Sequence, residues 1–275
     1  MPLDVLMLGG TGEIYLACAQ RALQQGHRVT TFNRGNSQPA AGSRVIRGDI
    51  HDTDHLRNTA ARGFDVVCQF LCFNETDAVR DIEVFGGQCE QYIFISSASA
   101  YQKPWLDGVL TEDVPLHNPF MSYSRDKARC EEVLLRASES GELPVTVVRP
   151  SHTYRERLPS TIVNGDHLLW RLLKQKPVLV HDSGRTLWTL THAEDFAHAF
   201  TQLFRHPGSI GEAYHITDST AHTWRTIMMT IAAITASVTA STTVTATTTI
   251  QPRPLPCWTH HFWTTWMIWI WTTPT

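Results

Sequence analysis

The chain has 275 residues, enough for one large α/β domain with a smaller satellite and a substantial core. A formal net charge of -3 and a pI near 6.5 give no electrostatic footprint for nucleic acid, which is therefore a disfavoured partner. Six cysteines, at 18, 68, 72, 89, 130 and 257, form no CxxC pair, which argues against a disulfide framework and a zinc site and for a reduced, cytoplasmic setting.

In the first half, short apolar runs alternate with helical patterns, as in βαβ units that build a parallel sheet. Strands are predicted at Leu3 to Leu8, Arg28 to Asn33, Arg44 to Arg47, Asp65 to Leu71, Gln91 to Ser96 and Val145 to Arg149. Several of them, such as "DVVCQFL" and "YIFIS", are nearly continuous apolar runs, the pattern of strands covered by helices on both faces. Helices are predicted from Glu13 to Gln25, Asp54 to Arg62, Ala78 to Gly87 and Met121 to Ser140. After residue 150 the pattern loosens to a loop "SHTYRERLPST", a helix from Gly165 to Gln175, a strand from Val178 to Val180 and a helix from Ala193 to Phe204. The fold class expected is α/β, a doubly wound parallel sheet over 1–150 with a smaller substrate lobe, 151–234, interleaved with it. No run of about 18 apolar residues is present, so no membrane span is expected, and the N-terminus does not read as a signal peptide.

The first strand runs into "LGGTGEIY", where Gly9 and Gly12 hold two positions of a GxxGxxG turn and Tyr15 stands at the third. A strand, a glycine turn and a helix in this order bring backbone N–H groups and the positive end of a helix to one point, which suits a pyrophosphate. The expected cofactor contacts here are Gly9, Thr11, Gly12, Glu13 and Ile14. The missing third glycine serves close helix-to-strand packing, so Tyr15 predicts a displaced or tilted first helix and weaker cofactor binding. At the end of the second strand, Asn33 and Arg34 stand where an acid would bond the ribose hydroxyl of NAD. A guanidinium suits the 2'-phosphate instead, so NAD(P) is the expected cofactor, with NADP slightly favoured. Asp49 and Ile50 would reach the adenine, and helix capping falls to Asp52 or Thr53.

In "NPFMSYSRDKARCEEVLL", Tyr123 and Lys127 are spaced i, i+4 and share one helix face. A nearby ammonium favours the phenolate, making the phenol a usable base near neutral pH. Upstream, Ser97 in "FISSASAY" could hydrogen-bond a substrate oxygen. Glu131 and Glu132 read as the solvated face of that helix, and Trp170 and Trp188 as packing. Beyond the sixth strand, His152, Tyr154 and Arg155 are substrate-contact candidates, because ligands of open α/β sheets bind past the carboxyl ends of strands.

The tail is compositionally unlike the rest. From Ser219 to Thr275 there is no Asp, Glu or Lys, two Arg, 18 Thr and six of the nine Trp. At a typical charged fraction, a segment this long carries about a dozen charges. Two readings fit, a solvent-shy β-rich segment or a stretch translated out of frame, and low-complexity bias in 235–275 favours the second. Neither reading puts catalytic chemistry there.

Together "GGTGEI", "GDIHD", "FISSASAY", "YSRDK", "VVRPSHTY" and "LTHAEDFAHAF" resemble, in order, the extended short-chain dehydrogenases/reductases of the NAD-dependent epimerase/dehydratase type, over residues 3 to 233. The resemblance implies a Rossmann-fold domain, a C-terminal substrate lobe and a Ser-Tyr-Lys catalytic set. Carried over, Ser97, Tyr123 and Lys127 form that set, with Lys127 also holding the nicotinamide ribose. Pro150 and Ser151 would flank the nicotinamide, and Leu71 would contact the cofactor. The function implied is an NAD(P)-dependent oxidoreductase, epimerase or dehydratase acting on a hydroxyl or carbonyl of a small molecule such as a nucleotide sugar, and a homodimer is left open. The alternative is a non-catalytic NAD(P)-binding protein that regulates or binds RNA or a protein.

Overall fold

In this computed structural model, which describes residues 1–9, 12–36, 38–105, 108–160, 165–180 and 183–240, the apolar runs of the first half form the centre of one parallel sheet. Its strands are β1 (Asp4–Leu8), β2 (Arg28–Asn33), β3 (Arg44–Arg47), β4 (Phe64–Gln69), β5 (Cys89–Ile95), β6 (Val145–Pro150) and, from beyond the first half, β9 (Ala213–Ile216). They lie in the order β3-β2-β1-β4-β5-β6-β9, every neighbouring pair parallel. The direction of winding reverses between β1 and β4, which opens a crevice at their carboxyl ends.

Both faces of the sheet are covered, which is why its strands lack polar alternation. One face carries α2 (Thr53–Ala60), α3 (Glu75–Phe85) and α4 (Ser122–Glu139), packed on Leu6, Val67, Phe94 and Val147. The other carries α1 (Glu13–Gln24) and α6 (Ala193–Gln202), whose Ala17, Cys18, Phe196 and Phe200 pack on Val5, Met7, Val66 and Ile93. The chain is thus a Rossmann-like α/β fold.

A second, three-stranded sheet is built from β7 (His152–Tyr154), β8 (Leu187–His192) and β10 (Ala221–Thr223), in the order β10-β8-β7. It packs with α5 (Gly165–Leu173) and α7 (Trp224–Ala240) around Leu168, Trp224, Ile227, Met228 and Ile231. The strand expected at Val178 to Val180 does not form. Pro177 precedes it and no neighbour offers a ladder, so Val178 and Val180 serve as apolar cover for this cluster. The expected loop at "SHTYRERLPST" contains β7. From Trp224 to Ala240 the tail is helical and not β-rich, crossing the boundary drawn at 234, whereas 241–275 lies outside the described residues. No helix among the described residues is long and apolar enough to cross a membrane.

Helix α4 buries Ser124, Lys127, Cys130, Glu131, Leu134 and Ala137, a stripe at helical spacing that turns two ionisable groups toward the sheet. Glu131 is therefore not solvated: it is 1% exposed and pairs with Arg149 of β6 at 2.7 Å, while its neighbour Glu132 is open to solvent. Glu131 also accepts from the Ser96 hydroxyl, and Arg149 donates to the Tyr101 hydroxyl at 3.3 Å. Removing one partner of such a buried pair strands the other. Glu131→Ala is expected to cost about 3–5 kcal/mol in urea denaturation, whereas Glu132→Ala on the exposed side should change stability by under about 0.5 kcal/mol.

His152 sits edge-on between Trp188 and Trp224, with ring centroids 5.8 Å away in each case, and burial lowers its pKa to about 4. The folded lobe therefore holds this ring neutral while an unfolded chain protonates it below about pH 6.5. Stability from this group is complete above that pH and is lost as pH falls from about 6.5 to 4. Over this window the wild type should lose on the order of 2 kcal/mol more than His152→Phe in parallel denaturation curves.

Candidate functional site

The turn after β1 starts at Gly9, whose φ of +140° is open to glycine and strained for other residues. A Cβ there would also stand 3.3 Å from the Tyr15 ring and from Phe70 Cβ. Gly12 caps α1 without any side-chain hydrogen bond, and a Cβ on it would meet nothing within 4 Å. The first N–H groups of α1 thus receive no side-chain cap from Gly12. Thr11 lies outside the described residues.

At the third motif position, Tyr15 lies in the first turn of α1. Its ring points inward, is 1% exposed, and meets Phe70 edge-on at 5.3 Å, with Phe200 of α6 beyond. Helix α1 runs regularly from Glu13 to Gln24 over it. The ring fills the space beneath the turn as part of the core.

At the carboxyl end of β2, Asn33 accepts from the Gly35 N–H at 2.8 Å, while its side-chain nitrogen is buried without a hydrogen-bond partner among the described residues. Arg34 beside it is exposed. Asp49 is exposed and accepts from the His51 N–H, Ile50 is buried, and the cap of α2 is Asp52, which accepts from the His55 N–H at 3.0 Å. Leu71, past β4, donates its N–H to Gln69 at 2.7 Å. An orphaned buried amide nitrogen, an uncapped helix start and a glycine turn at the carboxyl end of β1 fit a dinucleotide.

The 3-10 turn Ala98–Ala100 is capped by Ser97, whose hydroxyl accepts from the Ser99 N–H at 3.1 Å and lies near the Tyr123 phenol. Lys127 is 2% exposed and donates to the carbonyls of Cys72 and Ile95, both at 2.7 Å. Its nitrogen also lies over the rings of Phe94 and Phe73, at 4.7 and 4.9 Å. Burial lowers the Lys127 pKa to about 8, with Cys72, Cys130, Glu131 and Asp77 opposing. The expected acidification of Tyr123 is not what this arrangement gives. Burial raises the phenol pKa, the Ser97 hydroxyl opposes that, and the ammonium, 5.9 Å from the ring centroid, is turned toward backbone carbonyls.

Ser97, Tyr123, Pro150, Ser151 and His152 all line one cavity of about 1010 Å³. The structure does not bring the other two substrate candidates there. Tyr154 packs edge-on against His192, and Arg155 reaches back to Gln20 of α1 at 3.1 Å. Residues that sequence reading missed complete the walls: Lys103, Thr189, His215 and Thr217, together with Trp188, which was expected only to pack. The Thr189 hydroxyl joins Ser151 at 2.9 Å and accepts from Thr217 at 2.7 Å, a chain of hydroxyls from three segments that no local motif announces.

Comparison with known proteins places this geometry in context. The model of the NAD dependent epimerase/dehydratase family matches residues 5–217. The chain is 28% identical over 229 residues to the chloroplast stem-loop binding protein of 41 kDa b from Arabidopsis thaliana, covering 78% of this chain and 58% of that protein. It is 26% identical over 231 residues to 2'-dehydrokanamycin reductase from Streptomyces kanamyceticus, covering 82% of this chain and 64% of the reductase. The chain thus spans roughly three-fifths of the length of these curated relatives. In fold it is similar to dTDP-glucose 4,6-dehydratase from Bacillus anthracis in complex with NAD, with a TM-score of 0.72 and 19% identity over 84% of this chain and 80% of that one. With most of its length matched, glycine turn, crevice and cavity included, the chain belongs to the NAD dependent epimerase/dehydratase family.

Proposed function

We propose that the protein is an NAD(P)-dependent oxidoreductase, epimerase or dehydratase that works on a hydroxyl or carbonyl carbon of a small molecule held in the cavity. The observation that carries this reading is that Ser97 and Tyr123 share the cavity wall with Pro150 and Ser151, with the Lys127 ammonium buried behind them. Bound NAD(P) would accept or donate the hydride. Gly9, Gly12 and the N–H groups that open α1, in the turn that also carries Thr11, Glu13 and Ile14, would hold its pyrophosphate. Asn33 and Arg34 would take the adenosine ribose, and Asp49 and Ile50 the adenine. Leu71 would lie against the cofactor, and Pro150 and Ser151 would flank its nicotinamide.

Two of the three N–H groups of Lys127 are occupied by carbonyls, which leaves one for a ribose hydroxyl. Tyr123 would move the proton of the substrate oxygen, and Ser97 would orient that oxygen. The exposed guanidinium of Arg34 and the lack of an acid at the end of β2 support NADP over NAD. The names of the dehydratase neighbour and the reductase relative support a sugar-like substrate, a nucleotide sugar being one class.

A second reading, a cofactor-binding protein that acts on RNA, is favoured by the name of the chloroplast relative and disfavoured by the net charge of -3. The two separate in one assay. Turnover of a panel of keto-sugars and nucleotide sugars, read both as NAD(P)H oxidation and, for redox-neutral epimerisation or dehydration, as product formed with NAD(P)+ present, should fall by about 10²-fold or more in Tyr123→Phe, with cofactor Kd held within about threefold. Full activity in that variant overturns the catalytic role, and no hydride transfer in the wild type with cofactor bound favours the second reading.

A further inference from the structure

Resting on the reading of the cavity as the substrate site, we propose that the substrate is an uncharged, unphosphorylated ring compound with an apolar body, so that nucleotide sugars are excluded from the compounds open to such an enzyme. The walls of the cavity, about 1010 Å³ in volume, carry this inference, because they are mostly apolar and hold no guanidinium among the described residues.

A diphosphate is recognised by cations, above all by the planar fork of Arg. The internal segments outside the described residues, 10–11, 37, 106–107, 161–164 and 181–182, contain neither Lys nor Arg, so they supply no such group either. The guanidiniums of the small lobe are turned elsewhere. Arg155 reaches Gln20 of α1, Arg157 lies 3.5 Å from Asp166, Arg171 donates to the Pro177 carbonyl at 2.8 Å and Arg225 to that of Ser183 at 3.1 Å. Arg185 is exposed and stands outside the lining. The one Lys in the wall, Lys103, has a buried side chain that is engaged within the protein. Burial favours the neutral rings of His152 and His215, and Asp218 adds a carboxylate to the same lining, which repels a second anion.

The hydroxyls of the wall are largely satisfied by one another. Thr191, behind it, donates to Thr217 at 3.3 Å, Thr217 donates to Thr189 at 2.7 Å, and Thr189 and Ser151 share a bond of 2.9 Å. Each hydroxyl has one proton to give. Whichever of the last two is the donor, a single proton is left over on Ser151 or Thr189 without an acceptor among the described residues, and it can serve one oxygen of a ligand. The rest of the surface has to be matched by carbon. Val109, Leu110, Met121, Leu187 and Trp188 line the cavity, and Val109 is 78% exposed despite its apolar side chain. An apolar body laid against them removes that surface from water, with the indole of Trp188 as aromatic contact. Apolar walls with a few placed polar groups suit a compound with one or two oxygens at fixed positions and not a doubly charged one.

The test measures binding and needs no turnover, so loss of the Tyr123 role leaves this inference standing. Full-length protein, with NADP+ present throughout to occupy the crevice, is titrated by ligand-observed NMR with phenyl β-D-glucoside, α-tetralone and UDP-glucose. At least one of the two uncharged probes is expected to bind about tenfold more tightly than UDP-glucose. A preference for the glucoside assigns a sugar with an apolar substituent, and a preference for the tetralone a carbocyclic ketone. Val109→Asp, at an exposed position, should weaken the preferred probe about fivefold, and Thr189→Val about threefold. UDP-glucose bound as tightly as the uncharged probes overturns the proposal and leaves the oxidoreductase reading standing, with a nucleotide sugar as substrate. Binding of none of the three, or a preferred probe that binds both variants as well as the wild type, overturns it too.

Discussion

The ammonium of Lys127 ties three elements together where the sheet opens. It leaves α4, crosses to the carboxyl ends of β4 and β5, and binds the carbonyls of Cys72 and Ile95 at the same 2.7 Å distance. The faces of Phe73 and Phe94 beside it replace part of the water it gave up. The residual cost shows in a pKa lowered to about 8, a shift equivalent to about 3 kcal/mol. A core designed for stability alone would place an apolar chain there. Its retention at the mouth of a crevice, four residues after a tyrosine that lines the cavity, is what a site requires and a core does not.

The loop that carries the Cys72 carbonyl is itself held by buried polar groups. Gln69 links the Leu71 N–H to Asp81, Asp81 takes the Tyr92 hydroxyl at 2.7 Å, and Arg80 bridges Asp81 and Asp77, the latter accepting from the Phe73 N–H. The loop after β4 is thus fixed from below. One turn further along the same face of α4, Glu131 anchors Arg149 and Ser96, next to Pro150 and Ser97 of the cavity. One helix stripe, Tyr123, Lys127 and Glu131, therefore reaches the cavity, the crevice and the sheet in three successive turns.

What could be read from the sequence depended on how local its physical cause was. The central strands of the large sheet, such as β4 and β5, were legible because burial on both faces writes a nearly continuous apolar run into them. Strands β7, β9 and β10 have three or four residues, too few to show a period, and exist by pairing with distant neighbours. The Tyr123 and Lys127 pair was legible from one helical turn, yet the effect of the ammonium on the phenol was not, because the carbonyls that claim it lie on other strands. Glu131 looked like its exposed neighbour Glu132 until Arg149 stood opposite it. Tyr15 looked like a defect because the pocket that takes its ring is made by Phe70 and α6. Lys103 and His215 were not legible as cavity residues, since their place in its wall is a property of the fold.

The central claim is that this crevice holds a dinucleotide and that Lys127 grips it at the mouth. Calorimetric titration of the wild type and Lys127→Met with NADPH and NADH tests it most directly, with thermal melts of both proteins alongside. The account predicts binding by the wild type, tighter for NADPH, and an affinity about tenfold lower in Lys127→Met with the melting temperature kept within about 5 °C. A wild type that binds neither nucleotide, or a Lys127→Met variant that binds both as well as the wild type, would contradict it.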